Sequence, residues 1–275
     1  MRGWGRIAGW IGLALFAAAA LLLFDAEQAP VVRKAYVALR GWPAGARPIK
    51  VLLASDFHVS EPDMPPARMA SIVGQMNGLK PDLILLAGDY VSDKQVLSGV
   101  FSMDEAVATL RGLHAPLGVY AVLGNHDHHR WDGARDAGAA FPREGIRLLR
   151  NQVVPAGPIT LAGIDDILTF HDDMRVLGPL HADSKPMVVL SHSPDVADII
   201  RGRADLLLAG HTHCGQISLP LVGAPEKSSR FGDRYLCGLK REPDLIEVTT
   251  AGLGTTLLPM RLGTSPDLWL LTLGP

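Results

Sequence analysis

The sequence predicts an α/β protein. Short apolar runs bounded by turn residues, at 50–55, 81–87, 118–123 and 187–190, read as buried strands. Segments with apolar residues at helical spacing lie between them, which is the pattern of strands and helices packed in layers. No internal repeat interrupts the alternation. A chain of 275 residues, 48% of them hydrophobic, is long enough to bury a full core.

The first stretch is different in kind. Residues 7–24 are apolar and carry no charge; Arg2 and Arg6 precede them, and Asp25 and Glu27 follow. The run is at the short end of what spans a bilayer. We expect residues 1–27 to be an uncleaved membrane anchor, with a cleaved signal segment as the rival. The run is long for a signal h-region, and no small-x-small site precedes the acidic pair. Residues 28–48 contain Gly41, Pro43, Gly45 and Pro48 and are expected as a linker. Its Arg33, Lys34 and Arg40 leave two readings open, a solvated segment or one lying against anionic headgroups. The folded domain is then expected over 49–275.

Within it, the strand at 50–55 ends in Asp56-Phe57-His58, and alternation lets Asp56 and His58 face one point. A helix is expected over 67–79, where Met69, Ile72, Val73, Met76 and Leu79 form an apolar stripe. The strand at 81–87 ends in Gly88-Asp89. A second helix is expected over about 103–113, with Ser102 and Glu105 as a capping box. The strand at 118–123 ends in Gly124-Asn125-His126-Asp127, and a weakly periodic helix follows over 131–144. Further strands at 159–164, 187–190 and 205–209 lead to Asp165-Asp166, to His192 and to Gly210-His211-Thr212-His213. A short helix is expected over 195–201, and strands over 245–249 and 268–272.

Five of these strands end in metal-type ligands: Asp56 and His58, Asp89, Asn125 and His126, His192, and His211 and His213. Sites in open α/β sheets lie beyond the carboxyl ends of the strands, so residues spread over more than half the chain have a reason to converge. Each alone has a plainer meaning, as a turn residue or a satisfied core histidine. Together they predict a metal site.

In this order the motifs resemble the calcineurin-like metallophosphoesterases. The resemblance covers roughly 50–273, and the stretches at 162–166, 191–195, 215–220 and 252–255 are similar to a membrane-associated bacterial phosphodiesterase branch. It implies a four-layer sandwich of two mixed β-sheets flanked by helices. It also implies two divalent ions, one held by Asp56, His58 and His213, the other by Asn125, His192 and His211, with Asp89 bridging. The mixed oxygen and nitrogen donors suit manganese, iron or zinc better than calcium or magnesium. A hydroxide between the metals would attack phosphorus. His126 would assist the leaving group and Asp127 would orient its ring. His128, Asp165 and Arg261 are candidates for substrate binding.

The implied activity is that of a phosphodiesterase or pyrophosphatase. Its phosphoester substrate would be amphiphilic if an anchor holds the cleft near lipid; UDP-2,3-diacylglucosamine of lipid A synthesis is one example. The implied location is a bacterial inner membrane, with the domain on the periplasmic side; the basic residues flanking the apolar run nearly balance, so the cytoplasmic side is the alternative. A non-catalytic metal-binding scaffold of the same fold is the rival, and the intact ligand set weighs against it. No Gly-x-Ser-x-Gly elbow supports a serine hydrolase. A net charge of −2 gives no case for nucleic acid as the main partner. Nothing in the sequence fixes the oligomeric state. Cys214 and Cys237 are expected as unpaired thiols rather than a bridge, with Cys214 packing as a small residue under the His213 loop.

Overall fold

The central apolar runs lack polar alternates because both of their faces are covered. The computed structural model describes residues 2–92, 94, 99–129, 133–178 and 185–275; the side chains of 2–6, 8, 14, 15, 18 and 133 are outside that description. Its elements are α1 (Arg2–Glu27), β1 (Val31–Ala38), β2 (Ile49–Ala54), β3 (Ser60–Glu61), α2 (Pro66–Gly78), β4 (Leu83–Ala87), β5 (Gly99–Val100), α3 (Met103–Ala108), β6 (Val119–Val122), α4 (Asn125–His129) and α5 (Gly133–Arg143). There follow β7 (Arg147–Leu148), β8 (Gln152–Ala156), β9 (Ile159–Gly163), β10 (Met187–Leu190), α6 (Ala197–Ile200), β11 (Leu206–Ala209), β12 (Gly238–Arg241), β13 (Ile246–Thr249) and β14 (Asp267–Gly274).

Two six-stranded sheets form, in the orders β1-β14-β2-β4-β6-β7 and β12-β13-β11-β10-β9-β8. Both are mixed: β2, β4, β6 and β7 run parallel, as do β13, β11, β10 and β9, while β14 is antiparallel to β2 and β8 to β9. Alternation along β2 explains the layering. Val51 and Leu53 face the second sheet, meeting a layer that includes Leu161, Val188, Leu190, Leu206 and Leu208. Leu52 and Ala54 face the other way, into a layer with Met69, Ile72 and Met76 of α2, Val107 of α3 and Phe141 of α5. The far face of the second sheet, through Val189 and Leu207, meets Ala197 and Ile200 of α6. The α/β class and the four layers are therefore present, and the carboxyl ends of β2, β4, β6, β10 and β11 share one rim.

Several boundaries differ from expectation. The expected linker at 28–48 contains β1, which pairs in parallel with β14 along its length from Val31↔Asp267 to Ala38↔Gly274. Alternate residues of β1 face solvent, so it has no apolar run to announce it. The second helix stops at Ala108, though its Ser102–Glu105 capping box forms. Residues 131 and 132 of the expected third helix, and His181, lie outside the described residues.

The expected transmembrane span is not carried by the described residues, among which no helix is long and apolar enough to cross a membrane. Parts of the expected anchor lie outside that description. The carboxyl end of α1 is engaged with the domain instead. Ala26 is buried, Leu22 O accepts the N–H of Arg261 at 3.0 Å, and Gln28 O accepts Arg68 Nη2 at 2.9 Å.

Candidate metal centre

The five strand ends are laced to one another by backbone hydrogen bonds. Asp56 N donates to Gly88 O and His58 N to Asp89 O, both at 2.9 Å, joining the β2 and β4 loops. Gly210 N donates to His192 O at 2.8 Å, joining the β11 and β10 loops. The two sheets are then tied together. His211 N donates to both oxygens of Asp56 at 3.1 Å, and His192 Nδ1 donates to Ala87 O at 2.8 Å. The approach is too close for side chains at two positions. A Cβ on Gly124 would collide with Asp89 Oδ1, and one on Gly210 with Ser55 Oγ and Asp56 Oδ2.

The donor atoms of the strand ends come together. Asp56, His58 and His213 form one group, and Asp89, His192 and His211 another, the ligand atoms of each lying within 4.8 Å of one another. Asn125 joins the second group, with Oδ1 3.0 Å from His192 Nε2. Asp89 Oδ2 lies between the groups, 3.5 Å from His58 Nε2 and 3.2 Å from His192 Nε2. Asp56, His58, Asp89, His211 and His213 all have positive φ, between 44° and 71°. Left-handed backbone costs a non-glycine residue about 1–3 kcal/mol and clusters at functional sites.

The protonation pattern tests whether cations fit. Ala87 O can only accept, so His192 Nδ1 carries a proton and its Nε2 faces two more acceptors, Asn125 Oδ1 and Asp89 Oδ2. Three acceptor atoms pointing at one another need a positive charge among them. Without one, the imidazole must supply it: burial lowers His192, but the Asp89 and Asp56 charges outweigh burial and push it up to about 10. The other group repeats the pattern, with His58 Nε2 and His213 Nε2 3.2 Å apart and His213 Nε2 3.4 Å from Asp56 Oδ1. Burial, then His192, lower His211 to about 3, and burial, then His58, hold His213 well below the ordinary range. Both imidazoles are thus neutral, the form that ligates metals. Asp89 sits well below the carboxylate range, because the His192, His126 and His58 imidazoles outweigh its burial. Burial raises Asp56 to about 6, with His192 opposing. The residues fit divalent cations.

The other predicted site residues divide. His126 reaches the centre, forming a third close group with His58 and Asp89; its Nε2 lies 4.0 Å from Asp89 Oδ2, farther than His58 or His192, and its side chain is 15% exposed. Asp127 has a different role from the one expected. Its Oδ2 accepts Asp89 N and Gly124 N, and its Oδ1 accepts Tyr90 N and Val91 N, at 2.9–3.2 Å. It staples the β4 loop to the β6 loop, and its oxygens are occupied by backbone rather than by the His126 ring. Burial, then the Asp89 charge, push it up to about 7.

His128 and Asp165 meet each other, Nε2 to Oδ1 at 2.7 Å, with Arg150 Nε on the other carboxylate oxygen and the His171 ring stacked on His128. Both side chains are buried in this network. Arg261 is fully buried, and its Nη2 donates to the carbonyls of Ala251, Gly252 and Gly254 at 2.5–3.1 Å. That turn lies directly on the ligand loop, since a Cβ on Gly252 would come within 2.6 Å of Asp56 Cβ. Arg261 therefore shapes the seat under Asp56 and His58 and offers no exposed nitrogen to a substrate.

The cysteines are not free thiols. Cys214 and Cys237 form a disulfide, with Cα atoms 4.7 Å apart. The neighbouring contact from Thr212 Oγ1 to Leu236 O, 2.7 Å, shows how the chain returns to the His213 loop. A pairing made by tertiary return leaves no local sign in the sequence; Cys237 and Ser55, whose hydroxyl donates to Asp56 Oδ2, are the site-supporting residues the sequence did not reveal.

Asp127→Ala should leave four loop N–H groups without their acceptor. We expect a loss of about 3 kcal/mol in unfolding free energy, measured by urea titration, together with loss of activity. A residue that only oriented the His126 ring would lower activity and leave the urea midpoint in place.

Sequence comparison meets this geometry. The profile described as "Calcineurin-like phosphoesterase" matches residues 49–215, a span that holds all seven donors and His126. The chain is 31% identical over 238 residues to "Phosphodiesterase YaeI" of Escherichia coli (strain K12), covering 83% of each protein. It is 29% identical over 238 residues to "Uncharacterized metallophosphoesterase YkuE" of Bacillus subtilis (strain 168), covering 84% of this chain and 81% of that one. The "Transmembrane protein with metallophosphoesterase domain" of Bos taurus is 31% identical over 270 residues, 90% of this chain and 57% of that protein. With its donors gathered on the rim of two mixed sheets, the chain belongs to the calcineurin-like phosphoesterase family and is a metal-dependent phosphoester hydrolase.

Proposed function

We propose that the protein is a binuclear phosphodiesterase or pyrophosphatase acting on an amphiphilic phosphoester. The observation that carries the binuclear reading is Asp89 Oδ2, which faces His58 on one side and His192 on the other. In this reading Asp56, His58 and His213 hold one ion, Asn125, His192 and His211 hold the second, and Asp89 serves both. Bound divalent ions would supply water activated near neutral pH and charge neutralisation at the phosphoryl group. The chain's own part is to exclude bulk water, keep His211 and His213 neutral and fix every ligand through the interloop bonds. His126, at the cleft edge, is placed to give a proton to the leaving oxygen.

The N-terminal segment, in this reading, holds the domain at a membrane. The uncharged run at 7–24, the exposed Trp10, Phe16 and Phe24, and the name of the Bos taurus relative support this. The disulfide supports a domain on the outer side, because such bonds persist in oxidising compartments. It weighs against UDP-2,3-diacylglucosamine, whose hydrolysis would require the cytoplasmic side.

The test is turnover of bis-p-nitrophenyl phosphate with manganese, read beside metal content. Asp89→Ala should abolish turnover and most bound metal, since both ions lose a ligand. His126→Ala should lower kcat by about 10²–10⁴-fold, the range of a lost general acid, at unchanged metal content. Metal loss in that second variant would make His126 a ligand.

A further inference from the structure

We propose that the cavity beside His213 takes a hydrocarbon chain of the phosphoester substrate, an inference that rests on the phosphodiesterase reading above. The cavity measures about 260 Å³, and its walls include Ile217, Pro225, Leu257 and Leu258 along with His213 and Gln216. It holds part of a ligand rather than a whole one. The one carboxylate in its wall, Glu226, has Oε1 engaged by backbone, accepting the N–H groups of Lys227 and Ser228 at 3.0 and 2.9 Å. His213 belongs both to the wall of this cavity and to the donor group with Asp56 and His58, so the cavity lies next to the metal centre.

The cavity is preformed. Gln216 Nε2 donates to Thr256 O at 3.0 Å and to Leu258 O at 3.2 Å, while Gln216 Oε1 accepts Thr256 N at 2.8 Å. Ser218 N donates to Leu262 O at 2.7 Å, pinning the same two loops farther along. The disulfide anchors Cys214, which stands in the chain between the lining residues His213 and Gly215. The outer parts of these loops are apolar and bare: Leu221 is fully exposed, Val222 75%, Leu257 59% and Leu258 42%. Apolar side chains around the mouth of an apolar cavity mark an entrance for an apolar group. The carboxyl end of α1 is bonded nearby, through Leu22 O to Arg261 N, so the apolar N-terminal segment and the mouth belong to one region of the molecule. A chain drawn from a lipid layer would enter here and leave its phosphoester at the metals.

The experiment uses methyl, butyl and octyl p-nitrophenyl phosphodiesters with the manganese-loaded full chain, and calorimetric binding of methyl-, butyl- and octylphosphonate beside it. Each buried methylene is expected to raise kcat/KM and phosphonate affinity by about fourfold until the cavity is full. Leu257→Asp and Leu258→Asp, both at exposed positions that the fold tolerates, should bring the octyl-to-methyl ratio towards one in both measurements. Hydrolysis of all three esters with no dependence on chain length overturns the cavity assignment and leaves the phosphodiesterase reading standing. Chain-dependent phosphonate binding without hydrolysis does the reverse. Aspartate variants that keep the wild-type ratio overturn the cavity assignment.

Discussion

The centre of this protein is a crowd of largely buried acceptor atoms. Two carboxylates, an amide oxygen and the ring nitrogens of four imidazoles meet within a few ångströms. Such a cluster repels itself in a low-dielectric interior unless positive charge sits among its members. The raised His192 and the lowered Asp89 show the strain: one imidazole is driven to hold a proton so that the carboxylate keeps its charge. Divalent cations held by these residues would supply a larger positive charge than that proton, which would offset the repulsion among the donors.

Holding the cluster needs a rigid frame, and the two sheets provide it. Strands buried on both faces fix the rim, so loops only one or two residues past each strand can be forced into left-handed backbone. The interactions that resist relaxation form an outer layer. Asp127 grips the β4 and β6 loops, Arg261 grips the 251–254 turn beneath Asp56, and the Cys214–Cys237 bond fixes the loop that ends in His213. None of these groups faces a substrate, yet each sets where a ligand atom lies.

What could be read in the sequence follows from this division. The strands were legible as uninterrupted apolar runs, and the donors as the residues that end them. The fold and the ligand atoms could thus be placed from local pattern and one topological rule. The outer layer was not legible. Arg261 and Asp127 were expected to face substrate and the His126 ring; both carry charges that normally seek solvent, and only the tertiary structure shows them turned onto backbone groups, Asp127 through both carboxylate oxygens and Arg261 through Nη2. The disulfide joins two loops across 23 residues, and β1 finds its partner 236 positions away at Asp267↔Val31. Half-exposed alternation hides an edge strand from a search for apolar runs. His128 and Asp165 were each expected as substrate contacts; the structure pairs them with each other, with Arg150 and His171 around them, which no local pattern announced.

The central claim is that Asp89 lies between two cations. Anomalous diffraction from crystals of the manganese-loaded protein tests it directly. The account predicts two peaks, one among Asp56, His58 and His213 and one among Asn125, His192 and His211, with Asp89 contacting both. A fully active protein showing a single peak, or a peak away from Asp89, would contradict it.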